Sequence, residues 1–255
     1  MRYLYILFIL AIALPLSALA QEGGRLPQAE IRLERREEIK SRAIQDKNVF
    51  REKLQNSGEN KKEIMMERGE VLKKNILENR VESRNIIKKN KDETREFRVQ
   101  SRESLKNELR DKISDDKKAE AVLRFSVQVD EINEKMINKF NKAVDSLEEF
   151  LARMQSRANK AVSQGLDTFA FDVVFADAQE AVLTARGAIE TQSQMVYTVN
   201  VNSEETLRED VLASKERFRS DLRVVRDSID SAKQAVRNAL LGLKSVPSVN
   251  EAEVE

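Results

Sequence analysis

Apolar residues recur every three or four positions from Val129 to Val162, which is the spacing of one long amphipathic helix. No Gly or Pro interrupts this stretch, so the pattern predicts an unbroken helix with one face buried against other elements. We expect the rest of the fold to be organised around it. The predicted apolar face consists of Val129, Ile132, Met136, Phe140, Ala143, Leu147, Phe150, Met154, Ala158 and Ala161.

A second segment carries a matching apolar pattern. Gly165 is the residue type expected just beyond a helix end, and Asp167 or Thr168 is expected to cap the next helix. The pattern of this second helix extends to Val196. Its many Ala residues would let neighbouring helices approach closely, so we expect it to be buried on a broad side.

A third apolar pattern is predicted to start near Ser203 and to end before Pro247. Only short connections, at residues 164–167 and 198–202, separate the three helices. Consecutive helices are therefore expected to lie antiparallel. The sequence predicts an all-α fold in which residues 119–244 form an antiparallel three-helix bundle.

Residues 28–118 are predicted to form a long charged helical arm before the bundle, with a break near residues 57–58. The arm contains 26 Lys+Arg and 20 Asp+Glu, so its net charge is 26 − 20 = +6. It has few large apolar residues and can bury less surface per residue than the bundle. Whether the arm folds back on the bundle or projects from it is left open by the sequence.

Six apolar residues of the arm lie at multiples of eleven positions, and Arg98 occupies the position that the pattern skips. An eleven-residue period is typical of a nearly straight helical packing seam. The alternative is a chance match along a solvated Lys/Glu helix, and both interpretations stay open. The candidate packing seam consists of Ala43, Leu54, Met65, Ile76, Ile87 and Leu109.

Residues 1–20 have the features of a secretory signal peptide, because a short apolar run is followed by small residues at Ala18 and Ala20, the positions that a signal peptidase reads. We expect cleavage after Ala20 and a location outside the cytoplasm. The alternative is an uncleaved N-terminal helix that anchors the chain. Residues 21–27 are predicted to be a flexible linker, and residues 245–255 a disordered acidic tail.

The chain contains no Cys, His or Trp. It therefore lacks disulfides, thiol and imidazole catalysis, and the usual zinc ligands. Neighbouring acids such as Glu148-Glu149 and Asp115-Asp116 point about 100° apart on a helix, so we interpret them as solvated surface. We expect no enzymatic activity, no cofactor and no metal site.

The basic residues of the arm are interleaved with acids, whereas nucleic-acid-binding proteins concentrate unopposed cations and often add stacking aromatic residues. We therefore expect no nucleic-acid partner. The narrow apolar side of the arm favours a protein partner or self-association through the arm. Weak binding to anionic envelope surfaces stays open.

The segment Gly165-Leu166-Asp167-Thr168 is followed by an Ala-rich helix and then by a Lys/Arg-rich helix. With this pattern, residues 150–244 resemble uncharacterised secreted all-helical, coiled-coil-like proteins of small-genome bacteria. The resemblance implies secretion and a helical fold, and no activity comes with it. The signal peptide and the long charged helices are also similar to periplasmic holdase chaperones of the Skp type. The residues that carry the first resemblance include Ala178, Ala181, Ala185, Ala188, Leu222, Val225, Ala235 and Leu243.

These observations favour a noncatalytic extracytoplasmic structural or interaction protein of the cell envelope. In this hypothesis the arm is a spacer or assembly helix, and the bundle is its stable base. One alternative is an ATP-independent periplasmic holdase that cradles exported proteins between its charged helices. A second alternative is a binder of anionic envelope polymers or lipid surfaces.

Overall fold

The computed structural model describes residues 61–246, and this part of the chain folds into α-helices without any β-strand. The prediction of an all-α fold is confirmed for these residues. No helix among them is long and apolar enough to cross a bilayer. The helices are α1 (Lys61–Lys112), α2 (Asp116–Ser163), α3 (Phe169–Ser193) and α4 (Leu207–Lys244).

Several predictions fall outside the described residues. They concern the signal peptide (1–20), the linker (21–27), the part of the arm before residue 61 with its break near 57–58, and the tail beyond residue 246.

α1 and α2 form an antiparallel helical hairpin with a tight turn. Asp115 caps α2, because its carboxylate accepts hydrogen bonds from the backbone N–H groups of Lys117 (2.9 Å) and Lys118 (3.3 Å). Far from this turn, Arg80 still faces Glu148, so the two helices stay side by side. α1 also packs against α3. The described part of the arm thus lies on the other helices, and a separate three-helix bundle is not confirmed.

The turn between α2 and α3 requires the glycine that the sequence places there. Gly165 has a φ of +84°, a left-handed conformation that strains any L side chain. The N–H of Leu166 donates to the carbonyl of Ala161 (3.0 Å), and the N–H of Gly165 donates to that of Val162 (2.9 Å). This is a Schellman motif, and the Leu166 side chain packs against the core, as such motifs favour.

α3 contacts all three other helices, and its small residues let them come close. Ala178 and Ala185 are fully buried. On the facing helix α4, a Cβ at Gly242 would come within 2.7 Å of the Cγ2 of Val174. α3 is therefore the centre of the main core, in agreement with its predicted broad burial.

The buried face of α2 is rotated relative to the predicted face. Ile132 and Phe150 belong to the predicted face, yet they are 45% and 39% exposed. Val144 and Leu151 are fully buried instead. The reason is that α1, α3 and α4 all pack on α2, so its buried arc is wide and includes polar positions such as Glu148.

A non-helical segment, residues 194–206, follows α3, ends in a turn at residues 204–206 and lies beside the α1–α2 turn; we call it the extended segment. Val199 and Val201 are buried against Leu109 of α1 and Leu207 of α4. The Nζ of Lys112 donates to the carbonyl of Val201 (2.6 Å). This second apolar cluster closes the end of the molecule that α3 is too short to reach.

Two helix boundaries differ from the prediction. Val196 lies in the extended segment, since α3 ends at Ser193. α4 begins at Leu207, because Ser203 and Thr206 form a hydrogen-bonded turn first, with the N–H of Ser203 donating to Thr206 Oγ1 (3.3 Å). Its end at Lys244 agrees with the prediction.

We expect Gly165→Ala to lower the free energy of unfolding by about 1 kcal/mol, because the added Cβ strains the left-handed backbone. Urea unfolding followed by circular dichroism measures this change. Gly165→Asn is the control, since Asn tolerates this conformation better and should cost less. Equal stability of the Ala variant and the wild type would contradict the assignment of the turn.

Candidate functional site

An ion-pair cluster lies in the interior where α1, α2 and α3 meet. At its centre is Glu148 of α2, whose side chain is only 3% exposed. Arg186 of α3 donates from Nε to Glu148 Oε1 and from Nη2 to Glu148 Oε2, both at 2.8 Å. This bidentate pairing is a strong geometry for a guanidinium and a carboxylate. A buried charge pair therefore joins α2 to α3.

Arg80 of α1 approaches the same carboxylate. Its Nε donates to Glu148 Oε2 at 2.8 Å, and its Nη2 donates to the backbone carbonyl of Asp145 at 2.8 Å. Glu148 thus lies between an arginine of α1 and an arginine of α3. Because removing one partner leaves a buried charge poorly compensated, this cluster couples the positions of three helices.

Asp145 and Asn141 lie one and two turns before Glu148 and complete the cluster. Asp145 pairs with Arg186 and with Arg84, the latter at 2.6 Å, and Asn141 Oδ1 accepts from Arg186 Nη1 at 3.1 Å. Burial by itself raises the pKa of Asp145, but hydrogen bonds from the two arginines outweigh it and hold this pKa below its usual value. Burial likewise works to lower the pKa of Arg186, and the bonds to Glu148 and Asp145 raise it overall.

The prediction that Glu148-Glu149 is solvated helix surface is wrong for Glu148. The Glu149 side chain is 63% exposed, as expected. The pattern of α2 alone could not distinguish the two, because the burial of Glu148 depends on a distant segment. The sequence did contain one signal of this burial. Arg186 is the one cation of an Ala-rich apolar helix, and a buried arginine requires a carboxylate partner in the interior.

A second set of hydrogen-bonded polar side chains connects α2, α3 and α4. Gln192 Nε2 donates to Asn133 Oδ1 and to Tyr197 Oη, both at 2.8 Å, and Tyr197 Oη donates to Asp221 Oδ2 at 3.0 Å. Burial is the main reason that the pKa of Tyr197 is raised, so the hydroxyl keeps its proton and remains a donor. These bonds fix the start of the extended segment against α4.

Polar contacts also hold α1 elsewhere along its length. Asn90 Nδ2 donates to Ser193 Oγ of α3 at 2.6 Å. Arg98 and Arg102 pair with Asp130 of α2 at 3.4 and 2.7 Å. The position that the eleven-residue pattern skips is therefore occupied by a largely buried ion pair.

The candidate packing seam is spread along α1 and does not converge on one site. Ile76 and Ile87 are partly buried against the main core, and Leu109 is buried in the second apolar cluster. The side chain of Met65 is not described. Outside the described residues lie Ala43 and Leu54 of the seam and the predicted cleavage residues Ala18 and Ala20.

Glu204 ties the α1–α2 turn to the segment before α4. Its carboxylate accepts from the backbone N–H (2.8 Å) and the hydroxyl (2.6 Å) of Ser114, and it pairs with Lys118 Nζ at 2.8 Å. The bond from Lys118 and those from Ser114 lower the pKa of Glu204 to about 2. The bond to Glu204 in turn raises the pKa of Lys118.

The charged groups around Glu148 bind one another, an arrangement that stabilises the packing of helices. Within residues 61–246, no group of three or more carboxylates comes together in a way that could hold a metal ion. No protein-family model, curated protein or solved structure matches the chain.

We expect Arg186→Met to lower the free energy of unfolding by about 3 kcal/mol, because it leaves Glu148 and Asp145 poorly compensated in the interior. Urea unfolding measures the loss. The matched control is Arg84→Met, which removes an exposed guanidinium from the same Asp145 and should cost less than about 1 kcal/mol. Equal losses in the two variants would show that the buried cluster does not fasten the helices.

Glu204 predicts a pH dependence of stability. Its pKa of about 2 in the folded chain lies below the ordinary value of 4.5, so the ionised carboxylate stabilises the fold above about pH 4.5. This contribution is lost as the pH falls toward about 2. The Tm difference between wild type and Glu204→Gln should therefore be largest near neutral pH and shrink on acidification. A difference that is constant from pH 7 to pH 2 would contradict the predicted linkage.

Proposed function

We propose that this chain is a noncatalytic structural or interaction protein of the cell envelope, in which a long helical body acts as a spacer or assembly element. The observation that carries the proposal is the pairing of Glu148 with Arg80 and Arg186. It uses the interior charged groups to fasten helices to one another. Such cross-links between helices suit a protein that works by holding one shape.

The dimensions of the α1–α2 hairpin support a spacer role. The two helices contain 52 and 48 residues, so at 1.5 Å per residue each extends roughly 70–80 Å. The ion pairs Arg80–Glu148 and Arg98–Asp130 keep them side by side over much of this length. A paired helix resists bending better than a single helix of the same length.

Exposed apolar residues on α1 support a protein partner or self-association through this helix. Leu77 and Val81 are both more than half exposed and are adjacent on the helix surface, one turn apart. Val99 is also exposed and follows Val81 by five helical turns, which places it on the same side.

The envelope location is proposed from the signal-peptide features of residues 1–20. The proposal therefore joins two claims, one on packing and one on export, that an experiment has to separate.

The absence of Cys from the chain allows both claims to be tested with one engineered disulfide. Asn90 and Ser193 are in hydrogen-bonding contact between α1 and α3, so Asn90→Cys with Ser193→Cys should form a disulfide in an oxidising compartment. The pair Asn90→Cys with Thr191→Cys is the control, because Thr191 is exposed and lies away from Asn90 on α3.

Non-reducing electrophoresis of cells quenched with a thiol-blocking reagent measures the disulfide. Oxidation of the first pair in intact cells supports packing and export together. A pair that stays reduced in cells but oxidises in the purified protein would contradict export and leave the packing intact. A pair that fails to oxidise in both would contradict the packing of α1.

A further inference from the structure

The cations of residues 119–244 are gathered on one side of the protein. This range contains 17 Lys+Arg and 20 Asp+Glu, so its net charge is 17 − 20 = −3. All of its Lys and Arg residues except Arg186 and Arg217 nevertheless lie in two rows. One row runs along α2 from Arg124 to Lys160, and the other runs along α4 from Arg208 to Lys244.

The α4 row follows the helical repeat closely. Successive cations are three, four or seven residues apart, which keeps them within an arc of roughly 80° on the helix surface. Arg219, Arg226 and Arg237 are exposed members of this row, and Asp230 is its one acid. Pairs between exposed neighbours, such as Lys233 with Asp230, neutralise little of its charge.

The α2 row repeats after 18 residues, which is five full helical turns. Ile132 is followed by cations at positions 135, 139 and 142, and Phe150 is followed in the same way by cations at positions 153, 157 and 160. Glu120, Glu131 and Glu149 lie about 20–40° to one side of this row on the helix surface. Exposed pairs join Glu120 to Arg124 and Glu131 to Lys135, and such pairs neutralise little of the charge. Both apolar residues are therefore exposed at the edge of the same line of positive charge.

Packing places the two rows beside each other. On α4, Gly242 and Asp221 face α3 and the extended segment, so α2 borders the opposite edge of the buried face, where the basic row lies. The pair Lys118–Glu204 and the apolar cluster that contains both Val122 and Leu207 place the starts of α2 and α4 at the same end of the molecule, so the two helices run parallel. We call these two rows, with Ile132 and Phe150, the basic face.

We infer that the basic face binds the surface of an anionic lipid membrane. It is two helices wide and extends over roughly 50 Å along α4, so many cations can reach one layer of phosphate groups together. Ile132 and Phe150 lie among these cations, at the level where apolar side chains enter the headgroup region. The Arg153 guanidinium lies 5.1 Å from the centre of the Phe150 ring, so a positive charge and an exposed apolar side chain are in direct contact on this face.

A linear polyanion or an acidic helix fits these observations less well. Either would be served by one row of cations and would leave Ile132 and Phe150 without a role. The inference deepens the proposed envelope function by naming a partner, and it depends on export only for where the contact takes place.

A fluorescent reporter tests the contact directly, because the chain has no Trp. We expect the emission of Phe150→Trp to shift to shorter wavelength on vesicles of phosphatidylglycerol mixed with phosphatidylcholine, and not on phosphatidylcholine alone. Val99→Trp, at an exposed position of α1, is the control and should not shift on either vesicle. The full chain is used. If residues 1–20 alone inserted into the vesicle, Trp at position 150 would not enter the lipid and its emission would not shift.

Charge variants in the Phe150→Trp background test the cations. Lys139→Gln with Arg219→Gln, Arg226→Gln and Arg237→Gln should raise the lipid concentration for half-maximal shift about 100-fold or more. The matched control removes four exposed cations from α1, which does not pack on α4: Lys88→Gln, Arg95→Gln, Lys106→Gln and Arg110→Gln. Circular dichroism verifies that both variants keep their helices.

Equal behaviour of the two charge variants would overturn the inference, as would an equal shift on phosphatidylcholine. Binding to inorganic polyphosphate without any shift on anionic vesicles would overturn it in favour of a linear polyanion. Because vesicle binding is measured with purified protein, its failure leaves the packing and export tests of the spacer proposal standing. Conversely, a disulfide experiment that contradicts export would not affect a positive result with vesicles, which concerns only the basic face.

Discussion

Glu148 lies between the guanidinium groups of Arg80 and Arg186, and its burial is tolerable only because both are present. The two arginines come from segments about a hundred residues apart. The carboxylate therefore sets the position of α1 and the position of α3 relative to α2 at one point. Asp145 and Asn141, one and two turns before Glu148 on α2, also bind Arg186 and so help to fix the position of α3.

The helices are held by two kinds of interface. α3 and α4 meet through alanines, a glycine and aromatic rings, so their separation is set by close apolar packing. α1 is placed largely by ion pairs and amide hydrogen bonds, such as those of Asn90 and Arg98. Charge pairing specifies the register of α1 along α2, while the apolar residues of α1 contribute modest burial.

Features that depend on neighbouring residues, such as the end of α2, could be predicted from the sequence, whereas features that depend on distant segments, such as the buried face of α2, could not. Gly165 marked the end of α2 because a left-handed residue there is a local requirement. The buried face of α2 was misplaced because α1 covers polar positions that look solvated in isolation. Arg98 interrupted the seam in the sequence, and only its contact with Asp130 shows why the helix continues to pack there. The repeats of the basic rows are visible in the sequence, but their adjacency depends on which edge of α4 meets α2.

The extended segment after α3 has a consequence for the order of folding. Val199 and Val201 acquire their apolar surroundings only when Leu109, about 90 residues earlier in the sequence, is in place beside them. Contacts between residues so far apart in sequence carry a large loop-closure cost. The end of the molecule beside the α1–α2 turn should therefore consolidate late, after the Ala-rich centre has already formed.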